Sequence, residues 1–201
     1  MKIFHDIKSV REELKKHSSS KIGFVPTMGA LHQGHLLLIE QAKANSDLVV
    51  VSIFVNQKQF NNTADYDLYP QTLEQDIKKI ENIVDIVFIP TAEEIYPDSF
   101  STTISVAHIS DNLCGKTRVG HFDGVALIVT KLFNIIKPNQ AFFGEKDFQQ
   151  LQLIKKLVKD LAMDIEIVAC ATMRQKDGLL KGLAMSSRNL RLNKKGQEIA
   201  P

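Results

Sequence analysis

The stretch Leu48-Val49-Val50-Val51-Ser52-Ile53-Phe54-Val55 is apolar on both of its alternating sets of positions. A strand with one wet face would alternate, so this one reads as a buried strand of a parallel sheet. Just before it, residues 34–45 carry Leu36, Leu37, Ile39 and Ala42 on one side, as a helix would. Before that helix, residues 22–25 (Ile-Gly-Phe-Val) form a short apolar strand that Pro26 is expected to stop. Downstream the alternation continues. Helices are expected over 72–82, 124–136 and 148–161, and strands over 85–90, 140–143 and 164–171, with a weaker strand over 102–107. Residues 3–16 read as a polar-faced N-terminal helix. Strands separated by helical segments give an α/β fold: a Rossmann-like parallel sheet with helices on both faces. After Thr172 the text turns to Gly, Lys, Arg and Ser, which reads as loop.

Composition narrows the function. The 201 residues carry a formal charge of +2, which gives little support to a nucleic-acid binder. The balance is uneven: residues 150–201 are net +5 and residues 1–149 net −3, so a local anionic partner is expected near the C-terminal quarter. No apolar run approaches the ~20 residues of a membrane span, and charges from Asp6 to Glu13 leave no signal-peptide core. Cys114 and Cys170, far apart, fit a reducing cytosol better than a disulfide scaffold.

In such sheets ligands bind beyond the carboxyl ends of the strands. Four segments stand there. Pro26-Thr27-Met28-Gly29-Ala30-Leu31-His32-Gln33-Gly34-His35 follows a core strand and opens a helix. Its histidines share one face, and its glycines let a base or phosphate approach the backbone. Two surface histidines, or a zinc site, are the alternatives; the other His and Cys residues lack metal-like spacing. Asn56 and Gln59 end the buried strand with neutral amides that suit hydroxyl and carboxylate groups. Phe143-Gly144-Glu145-Lys146-Asp147-Phe148-Gln149-Gln150 offers Lys146 to a phosphate, with Asp147 placed to cap the next helix. Met185-Ser186-Ser187-Arg188 offers hydroxyls and a guanidinium to a polyphosphate. There is no G-x-x-x-x-G-K-[ST] and no G-x-G-x-x-G. Adenylyl transfer by positioning and charge stabilisation is the leading inference.

At these residues the chain resembles the pantothenate synthetase (pantoate–β-alanine ligase) family, within the nucleotidylyltransferases that carry a His-x-Gly-His signature. The resemblance rests on PTMGALHQGH (26–35), SIFVNQKQF (52–60), YPQTLEQD (69–76), GHFDGV (120–125), KLFNIIKP (131–138), FFGEKDFQQL (142–151) and MSSRN (185–189). It implies that ATP and pantoate give pantoyl adenylate and pyrophosphate, after which β-alanine displaces AMP. It implies an ATP site of Met28, Gly29, His32, His35, Gly144, Glu145, Lys146, Asp147, Met173, Met185, Ser186, Ser187 and Arg188. Of these, His35 (as proton donor), His32, Lys146 and Arg188 would be catalytic. Gln59, Gln150, Asn56 and Arg118 would bind pantoate or β-alanine. Mg²⁺ would ride on the ATP phosphates with Asp76 nearby, and the protein would be a cytoplasmic homodimer. The resemblance divides the chain into a nucleotide- and pantoate-binding domain (1–172) and the start of an incomplete C-terminal lid domain (173–201) holding a KMSKS-like loop. Arg174, Lys176, Lys181 and Arg188 are expected around that loop, so the basic tail would meet a triphosphate. The chain departs from the family pattern at Gln57 and Val119 (usually proline), at Gln71 (usually arginine), and in about four extra residues within 179–183. The alternative within this resemblance is a catalytically impaired nucleotide-binding remnant.

Overall fold

The computed structural model describes residues 1–200; Pro201, which closes the second expected unit, lies outside them. A six-stranded sheet runs β1 (Lys2–Phe4), β4 (Ile86–Phe88), β3 (Leu48–Ile53), β2 (Ile22–Thr27), β5 (Gln140–Gly144), β6 (Glu166–Cys170), every pair parallel. The helices are α1 (Ile7–Lys15), α2 (Gln33–Asn45), α3 (Thr63–Asp67), α4 (Leu73–Ile80), α5 (Ala92–Ile95), α6 (Cys114–Thr117), α7 (His121–Ile136), α8 (Phe148–Asp160) and α9 (Lys194–Ile199).

The continuous apolar run of β3 is explained by two cores. Val50 packs with Phe24 and Phe88 against α1, α7 and α8. Its neighbours Val49 and Val51 pack with Val25, Val87 and Phe142 against α2 and α4. Every residue of β3 is buried, as a central strand covered on both faces requires.

Three expectations need correction. The N-terminal segment is not helical throughout: Lys2–Phe4 pairs with β4 as an edge strand before α1 begins. Residues 102–107 form no strand, and the sheet edge beside β4 is held by β1. And Pro26 does not stop β2, which runs on to Thr27. Phe54 donates to the Thr27 carbonyl, so the preceding residue, Pro26, faces β5. The β2–β5 ladder ends at Phe24 and Ala141, so no partner waits for the missing N–H.

That early end matters. The chain runs outward from β2 through β3 and β4 on one side, and through β5 and β6 on the other. The strands separate at this switch point, and the crevice opens beyond their carboxyl ends. Among the described residues no helix is long and apolar enough to cross a membrane.

Candidate active site

A cleft of about 210 Å³ lies at the switch point. One wall is the β2–α2 turn, with Met28, His32 and His35; the facing wall is the β5–α8 turn, with Gly144, Lys146, Asp147 and Gln150. Asn56 and Gln59 enter from the end of β3, and Met173 with Met185 to Arg188 covers the opening. Four segments separated by up to 160 positions thus line one cavity. Phe54, Val125, Val129 and Leu132 supply an apolar floor.

The β2–α2 turn is held from below. Gly29 (φ +81°) and Ala30 (φ +51°) both lie in the left-handed region, which only glycine adopts cheaply. Asp76, wholly buried, fixes them: its Oδ2 accepts the Ala30 N–H and its Oδ1 the Leu31 N–H, each at 2.8 Å. Thr72 Oγ1 donates to the same carboxylate at 3.1 Å, and Lys79 Nζ stands 3.6 Å from it while donating to the Leu31 carbonyl. Asp76, expected near the magnesium side, here anchors the turn. Both oxygens are used and closed to solvent. Gly29 and the exposed Glu145 do not line the cleft either; Gly29 shapes the turn beneath it.

His32 caps α2. Its Nδ1 accepts the Gly34 N–H at 3.2 Å, and the His35 Nδ1 accepts the His32 N–H at 3.2 Å. These bonds assign both protons to Nε2. The rings lie 4.0 Å apart. Burial, then the neighbouring His32, Lys146 and Lys79, holds His35 down to about 3. His32 is lowered by burial, then by Lys146 and Lys79. In this state His35 is a neutral imidazole with its Nε2 proton available for donation. Asp147 occupies the N-cap position of α8 as expected, but its side chain makes no capping bond; its carboxylate takes Lys146 Nζ at 3.0 Å.

Asn56 is 1% exposed and its amide is fully engaged. Nδ2 donates to Gly124 O and to Gln59 Oε1, both at 3.0 Å, and Oδ1 accepts the Tyr96 hydroxyl at 2.8 Å. It lines the cleft and holds Gln59 in place. Gly124 lets α7 press on the 3-10 turn Gln57–Gln59: a Cβ there would sit 2.3 Å from the Lys58 carbonyl oxygen. Arg118 does not line the cleft; its guanidinium donates to His121 Nε2 at 3.1 Å, and His121 Nδ1 donates to Gln59 O at 2.6 Å.

Arg188 lines the cleft but is tethered. Nη2 meets Asp65 Oδ2 at 2.8 Å, and Arg191 Nη1 takes Oδ1 at 2.7 Å. The Arg188 hydrogen bond first, with Arg191 adding to it, holds the Asp65 carboxyl down to about 2. Ser187 Oγ donates to Ala30 O at 3.1 Å, fastening this loop to the β2–α2 turn. The extra residues near 179–183 form a closed turn. Arg174 bridges Ala184, its guanidinium takes the Gly182 carbonyl, and Met185 N donates to Met173 O. Met173 and Met185 thus stay side by side. Of the four basic tail residues expected around the loop, only Arg188 lines the cleft.

A pantoate-beta-alanine ligase family model matches residues 2–201. The chain belongs to the pantoate–β-alanine ligase family. Members of this ATP-binding ligase family condense pantoate with β-alanine, using ATP, in pantothenate biosynthesis. The chain is 52% identical over 190 residues to the pantothenate synthetase of Caldicellulosiruptor saccharolyticus, covering 94% of this chain and 66% of that one. It is 50% identical over 195 residues to that of Thermodesulfovibrio yellowstonii, covering 96% and 68%. It therefore spans about two thirds of the length of these curated relatives. The crystal structure of the Thermus thermophilus enzyme superposes with a TM-score of 0.93 at 41% identity, over 100% of this chain and 71% of that one. The Francisella tularensis ligase, complexed with beta-gamma ATP and β-alanine, gives 0.91 at 47%, over 96% and 74%. The Rossmann-like α/β fold expected from the strand pattern is that of these ligases.

Sequence reading missed Asp65, Tyr96, Gly124 and His121 as parts of the site. Gly124 and His121 lay inside the quoted GHFDGV motif, but their contacts with residues 58 and 59 are tertiary.

Proposed function

We propose that this chain makes pantothenate from pantoate and β-alanine through pantoyl adenylate, releasing pyrophosphate and then AMP. The observation that carries the reading is one cleft that joins hydrogen-bond donors and cations to neutral amides. His32, His35, Lys146 and Arg188 face a polyanion, and Gln59 and Gln150 a small polar acid. In the first step a pantoate carboxylate oxygen attacks the α-phosphorus of ATP and the bond to pyrophosphate breaks. Negative charge grows on the leaving phosphates, where Lys146 and Arg188 and the two neutral imidazoles stabilise it. His35 donates a hydrogen bond from Nε2 rather than a full proton. In the second step the amine of β-alanine attacks the acyl carbon and AMP leaves. Gln59 and Gln150 hold pantoate through both steps, with Asn56 behind Gln59. The gem-dimethyl carbon of pantoate matches the apolar floor.

Mg²⁺ does not fit as a resident ion. Among the described residues no group of three or more His, Cys, Asp or Glu is placed to hold one. Asp76 has both oxygens in use. Magnesium held by the ATP phosphates themselves needs no such group, and no step here passes through it.

Residues 173–200 act in this reading as the start of a lid over the domain formed by 1–172, supported by the Ser187–Ala30 bond and by the place of Met173, Met185 and Arg188 at the opening. Homodimerisation and a cytoplasmic location are the remaining parts of the reading and rest on family resemblance. Pyrophosphate release tests it. Pantoate and ATP should release pyrophosphate, and β-alanine should then release AMP. Calorimetric ATP binding without either product would leave the chain a nucleotide-binding remnant.

A further inference from the structure

Gln59 can present either end of its amide to the cleft, as a donor or as an acceptor. The surroundings decide which. The fixed reference is the Gly124 carbonyl, which can only accept. It therefore draws Asn56 Nδ2 to itself, at 3.0 Å. The second Nδ2 proton then faces Gln59, so Gln59 must turn Oε1 toward it, at 3.0 Å. That leaves the Gln59 amide nitrogen on the cleft side, 2.9 Å from Met28 Sδ. The Tyr96 hydroxyl completes the arrangement from the other end, donating to Asn56 Oδ1 at 2.8 Å. Without it, a buried carbonyl oxygen loses its partner, and the Asn56 and Gln59 amides are held less firmly in the observed orientation.

Tyr96 is itself rigidly placed. It follows α5, its ring packs against Phe54 and Phe100, and Lys58 Nζ lies 5.1 Å from the ring centroid. Burial raises its hydroxyl well above the usual phenol value, so it stays a donor at any working pH.

We propose that Tyr96 is a positioning residue: acting through Asn56, it sets the Gln59 amide so that N–H groups face the substrate's oxygens. The inference rests on Gln59 binding pantoate, as proposed above. Pantoate and a non-hydrolysable ATP analogue, titrated separately by calorimetry, supply the test without requiring turnover. Tyr96→Phe keeps the ring and its packing. It should weaken pantoate by about three- to tenfold, the worth of one oriented neutral hydrogen bond, and leave the ATP analogue within about twofold. Asn56→Ala should show the same selectivity with a larger loss. In a Gln59→Ala background, Tyr96→Phe should add less than about twofold, since its effect passes through Gln59. Unchanged pantoate affinity in Tyr96→Phe, equal weakening of both ligands, or full additivity with Gln59→Ala overturns the proposal. The underlying reading fails separately, and the proposal with it, if Gln59→Ala leaves pantoate affinity unchanged or the unmodified chain binds no pantoate.

Discussion

Replacing Asp76 by asparagine changes one atom at a wholly buried site and separates two roles for that residue. The carboxylate accepts two backbone N–H groups at 2.8 Å and a threonine hydroxyl at 3.1 Å, beside a lysine at 3.6 Å. Asparagine keeps one acceptor oxygen. It turns an NH₂ toward either the Ala30 or the Leu31 N–H, leaving two donors face to face. A hydrogen bond to a charged group contributes ~1.5–3 kcal/mol, and a stranded buried N–H costs ~1–3 kcal/mol. One bond lost and one donor stranded therefore sum to about 2.5–6 kcal/mol, which brackets the ~3–5 found when a buried ion pair loses one member. For a chain of this size each kcal/mol moves Tm by ~2–4 °C, so thermal unfolding should shift down by roughly 10 °C. Ala30, no longer pinned at φ +51°, should relax toward ordinary backbone and carry His32 with it. ATP affinity should then fall along with stability. Calorimetric unfolding at pH 7 and ATP titration read both. A Tm within ~1 °C of the parent, with only the magnesium dependence altered, would refute the anchor and return Asp76 to a metal-side role.

Gly124→Ala should destabilise by about 1–3 kcal/mol through overpacking against Lys58, read from urea midpoints, and should weaken pantoate more than ATP because the displaced turn carries Gln59. Below pH ~6.5 an unfolded His35 takes a proton that the folded one, held at about 3, refuses, so the parent loses stability as pH falls from about 6.5 toward 3. His35→Gln should remove that contribution, a slope approaching ~1.4 kcal/mol per pH unit, and equal slopes in parent and variant would count against a neutral His35. Asp65, held at about 2, contributes stability that is present above the ordinary carboxylate value and disappears as pH falls through 2. Asp65→Asn should therefore cost most near neutrality, with its pH-dependent part gone only below pH 2 in acid-unfolding curves, and it should loosen Arg188.

The sequence made the sheet legible because buried parallel strands write a local signature: residues 48–55, apolar at every position but Ser52, admit few other readings. It made the four walls of the cleft legible for a related reason. Three groups that line it, His32, Gln59 and Lys146, sit just past strand ends, so strand order alone brings them together; Arg188 comes from the tail well beyond β6 and is placed by the Ser187–Ala30 and Asp65 contacts. What it hid are contacts between distant segments. β1 is three residues long, too short for a period to show, and its existence depends on a free edge at β4. Pro26 reads as a stop unless one knows that the ladder on its side has already ended. Asp65 meets Arg188 across 123 positions, and nothing near either residue announces the pair.

Asn56 shows the deeper reason. By residue type and place it is as good a pantoate ligand as Gln59, three positions away at the same strand end. The difference is saturation. Each polar atom of the Asn56 amide is already bonded, to Tyr96, Gly124 and Gln59, and the side chain has almost no contact with solvent. Gln59 has one end bonded to Asn56 and the other meeting only a thioether, which is a weak acceptor. The same test separates Asp76, with both oxygens taken, from Lys146, whose one carboxylate partner is exposed. Residue chemistry names the groups able to bind, and the unspent hydrogen-bonding capacity left by folding narrows them to the proposed ones.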